Sequence, residues 1–290
     1  MDPQQRILLE LSHELIERAG YVPSNLKGTK TGVYIVIEQV DYGVFINDFQ
    51  KDVYSGAGAA LSMSSNRLSY FYDFRGPSMS IDTACSASLT SIHTAVKDLR
   101  NGGCTMAIAG GVNLALSPHI TVALSQASMM SVDGRCKAFD DSANGYVRSE
   151  GCGLVLLKPL SKAIADGDNI EGVIRGSAIN QDGRSNGLTA PYGLAQQDVI
   201  KSALQSGNLL PNEIDYVEAH GTGTALGDPI EVNALDAVYG QDRDQKTPLI
   251  IGSVKSNIGH LEAAAGIAGF IKTLLCLKNN QIPGQLHYTT

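Results

Sequence analysis

Short apolar runs alternate with helical patterns along the 290-residue chain, and this alternation constrains the fold more than any other feature. Residues 32–37, 104–109 and 153–157 are apolar runs of strand length, whereas residues 7–19 and 89–99 repeat apolar side chains at helical spacing. Strands that lack a polar face are buried on both sides, as in sheets covered by helices. The pattern therefore predicts an α/β fold.

The later part of the chain continues the alternation. Its predicted elements are strands at residues 170–178, 214–219 and 248–254, and helices at 195–206, from Asp228 onward and at 261–277. Asp228 is predicted to be the N-cap of its helix, with Pro229 in the first turn. The helix at 261–277 is apolar nearly all round, which is typical of a helix buried between layers.

Glycines and a polar stretch are predicted to mark boundaries. Gly110 and Gly111 follow the apolar run at 104–109 and are expected to end that strand. Residues 162–169 predict a connection between two halves of the chain. Glycine accounts for 31 of the 290 residues, which indicates many tight turns or close backbone contacts.

The composition argues against several classes of function. Acidic residues outnumber basic ones by 29 to 22, which is the wrong sign for a nucleic-acid-binding face. No apolar stretch reaches about 18 residues, so no membrane-spanning helix is expected. Residues 1–6 carry no apolar signal-peptide core. The five cysteines are scattered without Cys-x-x-Cys spacing, so neither a disulfide framework nor a metal site is expected. A reducing, cytoplasmic location is predicted.

Cys85 lies where the predicted strand at 79–83 meets the helix at 89–99, between Ala84 and Ser86. Small neighbours allow a sharp backbone turn that exposes the central side chain, as at a nucleophile elbow. Unpaired N–H groups at the start of a helix favour a thiolate and can bind an oxyanion. Cys85 is therefore a candidate nucleophile, and the alternative is an inert cysteine packed in the core.

Two histidines also follow predicted strands and lie beside glycine. His220 precedes Gly221 and Gly223, which are expected to let the chain bend and a substrate approach the backbone. His260 ends the loop after the strand at 248–254. Taken singly, each is compatible with a structural histidine, as His93 is in its buried helix. Together with Cys85 they form a constellation that requires all three side chains to meet around one pocket.

Three stretches around these residues are similar to the signature motifs of β-ketoacyl synthases: DTACSASL at 82–89, EAHGTGT at 218–224 and KSNIGHLEAAAG at 255–266. They occur in the family's order. Further similar stretches are MDPQQR at 1–6, GRCKAF at 134–139, GYVRSEG at 145–151 and NQDGRSNGLTAP at 180–191. These stretches resemble ketosynthase domains of multidomain (type I) polyketide synthases more than stand-alone bacterial enzymes.

This resemblance implies a thiolase-like fold of five alternating α/β/α/β/α layers built from two related halves, usually in a homodimer. The halves are expected at residues 1–165 and 166–290. Because MDPQQR is normally internal in the family, the chain is expected to lack the first strands. Its second half is expected to be truncated before the family's later glycine-rich loop, so that the piece alone is inactive.

The resemblance also assigns catalytic roles by position. Cys85 matches the nucleophile that receives the acyl chain, and His220 and His260 match the pair that serves decarboxylation. Lys255 matches the lysine that supports this pair. The implied reaction is a decarboxylative Claisen condensation of an acyl thioester with a malonyl-type extender, in which neutral imidazoles donate N–H bonds to the developing oxyanion.

Thr222 and Thr224 match the threonines that bind the pantetheine arm. The implied partner is an acyl carrier protein or domain that brings the phosphopantetheine, so no cofactor is expected on the domain itself. Ala87 departs from the usual serine, a small-for-small change. Two alternatives on the same scaffold are a non-condensing relative, such as a loading decarboxylase or an acyltransferring relative, and an inactive dimer partner. Decarboxylase-only variants and inactive partners lose the cysteine, so Cys85 argues against these two. A cysteine hydrolase of the papain type is a further alternative, but the sequence contains no signature motif of that family.

Overall fold

The computed structural model describes residues 1–38, 41–47, 52–241 and 243–289. The strands are β1 Thr31–Ile37, β2 Ser78–Ile81, β3 Met106–Asn113, β4 Gly151–Leu157, β5 Tyr216–Glu218 and β6 Ile250–Gly252. The first helices are α1 Pro3–Arg18, α2 Asp41–Asn47, α3 Ser55–Ala59, α4 Met63–Tyr72, α5 Ala87–Arg100 and α6 His119–Gln126. They are followed by α7 Leu160–Asp166, α8 Gly193–Gly207, α9 Gly227–Tyr239, α10 Lys255–Ile258 and α11 Ala265–Asn279. Short 3-10 turns lie at Pro23–Leu26, Ala84–Ser86, Pro211–Glu213 and Glu262–Ala264.

The chain forms two compact units, neither of which is continuous in sequence. The first consists of Met1–Ile120, Ser149–Glu171 and Leu261–Ile271. The second consists of Thr121–Arg148, Gly172–His260 and Lys272–Thr290. None of the helices in the described part of the chain is long and apolar enough to span a membrane.

The first unit is built on a four-stranded sheet in the order β2-β1-β3-β4. β1 is parallel to both β2 and β3, and β4 runs antiparallel to β3. Every residue of β1 and β3 is buried, as expected of strands covered on both faces. Leu8 of α1 packs with Val33, Ile35 and Ile108 in the core of this unit. These strands and helix α1 confirm the sequence-based elements.

Gly110 and Gly111 lie inside β3, so the prediction that they end the strand is wrong. A Cβ at Gly110, whose φ is +146°, would lie 2.1 Å from the Gly153 carbonyl oxygen. A Cβ at Gly111 would lie 2.9 Å from Val36 Cβ. Both glycines are therefore explained by neighbouring strands that approach too closely for a side chain.

The second unit contains the parallel pair β5–β6 together with α8 and α9. Its apolar core includes Leu204, Leu235, Val238 and Tyr239. β5 and β6 are three residues each, shorter than the predicted strands, because the pairing covers only Tyr216–Glu218 and Ile250–Gly252.

Two further expectations are corrected by the structure. Residues 170–178, all of them described, form no strand: Val173 is 51% exposed, and a Cβ at Gly176 would lie 2.4 Å from backbone atoms of α8. Residues 162–169, predicted to connect two halves of the chain, include the later part of helix α7, and their role as a connection stays a prediction. The predicted buried helix at 261–277 begins as a 3-10 turn, and Leu277 near its end is 67% exposed.

Candidate active site

Cys85 lies in the first unit, in the Ala84–Ser86 turn between β2 and α5. The preceding Ala84 adopts a left-handed φ of +51°, which costs a non-glycine residue about 1–2 kcal/mol. The Asp82 carboxylate holds this turn by accepting the Ala84 N–H at 2.9 Å. Cys85 is half-buried. The turn has the sharp strand-to-helix geometry that the sequence predicts.

The start of α5 is fixed by the residues that follow Glu262. The Ala84–Ser86 turn packs against the Glu262–Ala264 turn. The hydroxyl of the buried Ser88 accepts the Ile267 N–H at 2.9 Å. A Cβ at Gly266 would lie 2.7 Å from Leu89 Cγ, so the backbone of α11 lies directly on α5. The first and third sequence motifs therefore support each other within this unit.

His220 lies in the second unit, directly after the residue that follows β5. The Glu231 carboxylate accepts two consecutive backbone N–H groups there: His220 N–H at 2.6 Å and Gly221 N–H at 2.8 Å. Burial raises the pKa of Glu231, whereas these two bonds and the Lys255 ammonium act in the opposite direction. Glu231 on α9 thus fixes the backbone that carries the His220 side chain.

Asp228 holds the next part of the same loop. Its buried carboxylate accepts N–H groups of Gly223 at 3.2 Å, Thr224 at 3.3 Å and Phe139 at 2.8 Å. The prediction that Asp228 is an N-cap is wrong, because α9 already begins at Gly227. The Asp228 carboxylate instead accepts backbone N–H groups of the loop that contains Gly223 and Thr224, and of Phe139.

Thr222 and Thr224 lie on this loop with their Oγ1 atoms 3.2 Å apart. Thr222 is buried and Thr224 is half-buried. Thr224 Oγ1 also accepts the Gly227 N–H at 3.2 Å, where α9 begins. The Thr224 hydroxyl therefore stabilises the backbone at the start of α9.

Gly221 and Gly223 have left-handed φ values of +40° and +80°, so the predicted bend is present. The atoms that approach them belong to the protein itself. A Cβ at Gly221 would lie 2.7 Å from Ser253 Cβ, and one at Gly223 would lie 2.7 Å from the backbone nitrogen of Lys137. Close packing of protein atoms therefore requires glycine at both positions.

His260 is 2% exposed and its backbone N–H donates to the Val147 carbonyl at 2.8 Å. Its ring centroid lies 5.5 Å from that of His220, with the two planes nearly perpendicular at 85°. The Tyr146 ring also packs against His260, at a centroid distance of 5.1 Å. The second unit therefore brings together the two histidines that the sequence singled out.

Lys255, the first residue of α10, is buried at 5% exposure. Burial, together with the charge of Lys255 and the neighbouring His220, lowers the pKa of His260 to about 2. His220 is exposed over part of its surface but otherwise surrounded by protein, and this desolvation, with the Lys255 charge, also lowers its pKa. Both imidazoles are consequently neutral near pH 7. A neutral imidazole carries one N–H donor and one acceptor nitrogen.

Two family models together match nearly all of the chain. The N-terminal domain of β-ketoacyl synthase matches residues 1–163, and the C-terminal domain matches residues 171–289. The chain belongs to the β-ketoacyl synthase family. The family predicted from the sequence is therefore confirmed.

Similar proteins agree with this assignment. One component of the phenolphthiocerol/phthiocerol polyketide synthase of Mycobacterium tuberculosis is 52% identical over 292 residues, which cover 100% of this chain and 16% of that protein. The ketosynthase from module 6 of the bacillaene synthase from Bacillus subtilis 168 superposes with a TM-score of 0.94 at 45% identity, covering 100% of this chain and 51% of that one. The Streptomyces albus oxazolomycin ketosynthase domain OzmH KS7 superposes with a TM-score of 0.92 at 40% identity. The match covers 99% of this chain and 50% of that one.

The predicted thiolase-like fold of this ketosynthase chain is confirmed by these structural likenesses. The chain spans about half the length of the ketosynthase structures it matches. Among the described residues, no group of three or more His, Cys, Asp or Glu side chains is arranged to hold a metal ion.

Several residues that hold the backbone around His220 or pack near the two histidines were not identified from the sequence. Glu231 and Asp228 lie near the start of a helix, where acidic residues are common. Their hydrogen bonds to the N–H groups of a loop could therefore not be recognised from the sequence. Tyr146 and Ser253 are ordinary residue types in motifs whose contacts depend on distant segments. A buried carboxylate beside a glycine-rich loop is the one pattern that could have directed attention to Asp228.

Proposed function

We propose that this ketosynthase chain carries, in the intact protein, the groups that extend an acyl chain by decarboxylative Claisen condensation, with Cys85 as the nucleophile and His220, His260 and Lys255 serving decarboxylation. The observation that carries the proposal is the pair of adjacent, neutral imidazoles beside a buried lysine. Such a pair can direct N–H donors at one oxygen without introducing a proton that would quench a carbanion.

In the first half-reaction the Cys85 thiolate attacks the carbonyl carbon of an incoming acyl thioester. The donor thiolate leaves and takes up a proton, and the acyl group remains on Cys85 as a new thioester. The left-handed turn at Ala84 and the helix that begins at Ala87 support this role, because a helix start favours a thiolate and donates N–H bonds to an oxyanion.

In the second half-reaction a malonyl-type thioester loses carbon dioxide. The electrons of the broken C–C bond form an enolate, whose negative charge lies on the thioester oxygen. Neutral His220 and His260 each donate one N–H to that oxygen, and the Lys255 ammonium stabilises the same negative charge. The enolate carbon then attacks the acyl carbonyl, and the Cys85 thiolate leaves as the β-ketoacyl product forms.

Thr222 and Thr224 are proposed to hydrogen-bond the pantetheine arm that delivers the extender. The phosphopantetheine is part of an acyl carrier protein or domain, and the ketosynthase itself uses no resident cofactor. A homodimer and neighbouring domains of a multidomain synthase are proposed as the further partners. The functional halves are proposed at residues 1–165 and 166–290.

The nucleophile is tested in the intact protein with Cys85→Ala, scored by mass spectrometry of the acyl-enzyme. Acylation should disappear in this variant and persist in Cys152→Ala, the matched control. Burial raises the pKa of the Cys152 thiol to about 12, so this control residue stays protonated and unreactive at neutral pH. An acyl adduct that survives Cys85→Ala would contradict the assignment.

The decarboxylation roles are tested with His220→Ala and His260→Ala. Loss of one oxyanion donor should lower malonyl decarboxylation by about 10²–10³-fold while acyl loading on Cys85 persists. The readouts are release of labelled carbon dioxide and the acyl-enzyme mass. Lost loading with normal decarboxylation would reverse the assigned roles and reject the mechanism.

A further inference from the structure

Ser253 lies immediately after β6 and between the two segments that carry the histidines of the second unit. It is completely buried, at 0% exposure. Its Oγ lies 2.9 Å from the Gly221 carbonyl oxygen and 3.4 Å from that of His220. The backbone N–H of Lys255 points at the same Oγ from 3.4 Å. One hydroxyl therefore contacts both the His220 loop and the start of α10.

The directions of these bonds follow from the chemistry of a hydroxyl, which has one proton to donate and two lone pairs. The carbonyls of Gly221 and His220 can only accept, so the Ser253 proton is directed to Gly221 O, the nearer of the two. A lone pair then accepts the Lys255 N–H. The hydroxyl thus links the backbone next to His220 to the helix that carries Lys255 and leads to His260.

The shape of the site is specified from both sides. A Cβ at Gly221 would lie 2.7 Å from Ser253 Cβ and 2.8 Å from Phe139 Cζ. The serine side chain can reach the loop carbonyls only because residue 221 has no side chain. A longer residue at position 253 has no room, since Ser253 is already fully enclosed.

The backbone of Ser253 is held by bonds that do not involve its hydroxyl. Its N–H donates to Gln285 Oε1 at 2.9 Å, and its carbonyl accepts the Ser256 hydroxyl at 3.1 Å. The neighbouring Gly252 carbonyl accepts the Ala219 N–H at 2.8 Å, beside the β5–β6 ladder. Removal of the hydroxyl alone therefore leaves the backbone of residue 253 and the end of β6 anchored.

We infer that Ser253 is a positioning residue that sets the separation of the two imidazoles, whose centroids lie 5.5 Å apart. This inference rests on the proposed decarboxylation role of His220 and His260. N–H donors stabilise an oxyanion only when they lie about 2.7–3.1 Å from it, and a misplacement of about 1 Å can cost about 10²-fold in rate. Without the hydroxyl, the Gly221 carbonyl loses its buried partner and the His220 loop relaxes away from α10.

The test compares Ser253→Ala with Ser12→Ala in the intact protein. Ser12 is likewise completely buried, and its hydroxyl contacts Leu9 O and the Tyr72 hydroxyl, both of them in the first unit. Ser253→Ala should lower kcat for malonyl decarboxylation by about 10–10²-fold, with KM for the malonyl carrier and acyl loading on Cys85 near the parent values. Ser12→Ala should leave all three nearly unchanged.

Each alternative outcome has a separate meaning. An unchanged kcat in Ser253→Ala, alongside a large loss in His220→Ala, would overturn the role of Ser253 and leave the proposed function intact. An unchanged decarboxylation rate in both Ser253→Ala and His220→Ala would reject the proposed function itself. Equal losses of loading and decarboxylation in Ser253→Ala, including loss through unfolding, would also overturn the inference, because it requires that the backbone bonds keep the loop folded.

Discussion

The low pKa of His260 predicts that decarboxylation does not decline as the pH is lowered through the usual titration range of histidine. A histidine with an unperturbed pKa of about 6.5 is only about 3% neutral at about pH 5, so a reaction that needs one neutral imidazole would slow about 30-fold between about pH 7.5 and pH 5. Two such imidazoles would slow it about 10³-fold. With the pKa of His260 lowered to about 2, its neutral fraction stays close to one over this range.

The assay is single-turnover release of labelled carbon dioxide from a malonyl thioester by the intact protein, at saturating substrate and constant ionic strength. We expect a change of less than about two-fold between about pH 7.5 and pH 5. An acid limb with a midpoint near 6.5 and a loss of about 30-fold or more would refute the reasoning, since it would mean that burial and Lys255 do not keep the pair neutral.

The same shift has a consequence for stability with a defined sign. The unfolded chain protonates His260 below about pH 6.5, whereas the folded chain does not until about pH 2. Proton binding by the unfolded chain therefore lowers the free energy of unfolding as the pH falls below about 6.5. The loss relative to neutral pH is about 2 kcal/mol at about pH 5. His260→Asn should therefore remove about 2 kcal/mol of pH dependence, measured by urea titration with hydrogen-exchange readout. A pH dependence of the unfolding free energy that is unchanged in His260→Asn would contradict this assignment.

Two further predictions concern packing. Gly223→Ala should destabilise the protein by about 2–4 kcal/mol, because the Cβ would lie 2.7 Å from the Lys137 nitrogen at φ +80°. Gly134→Ala, at φ +69° with nothing within 4 Å, should cost only about 1–2 kcal/mol, and equal losses of melting temperature would contradict the steric argument. Lys158→Met should cost about 1–2 kcal/mol, because the half-buried ammonium contacts Asp166, Asp168 and the Tyr21 hydroxyl. The exposed Lys162→Met should be nearly neutral in a urea titration of the same kind.

The buried strands and the helices beside them could be predicted from sequence because local pattern and tertiary environment agree there. β1 is buried at all seven positions, and Thr31 at its start is followed by a run from Gly32 to Ile37 without a charged side chain. The histidine pair could be anticipated because each residue follows a strand next to glycine, and strand ends are where α/β folds bind ligands.

The parts that could not be predicted depend on distant neighbours. Gly110 looked like a strand end, and only the carbonyl of Gly153 on the antiparallel partner explains why glycine is required inside β3. Asp228 looked like a helix cap, yet its oxygens bind a loop up to 89 residues away in sequence, at Phe139. Residues 170–178 have the composition of a strand, but composition does not specify a hydrogen-bonding partner.

The position of Glu231 affects how inactive variants should be interpreted. A carboxylate bonded to the backbone of His220 invites assignment as a proton relay, yet its two oxygens accept consecutive peptide N–H groups at 2.6 and 2.8 Å. A Glu231→Gln protein would present an NH₂ group to one of those donors and so displace the main chain that carries His220. Inactivity of that variant would report a moved scaffold, and proton-transfer chemistry would have to be assigned from the imidazoles themselves.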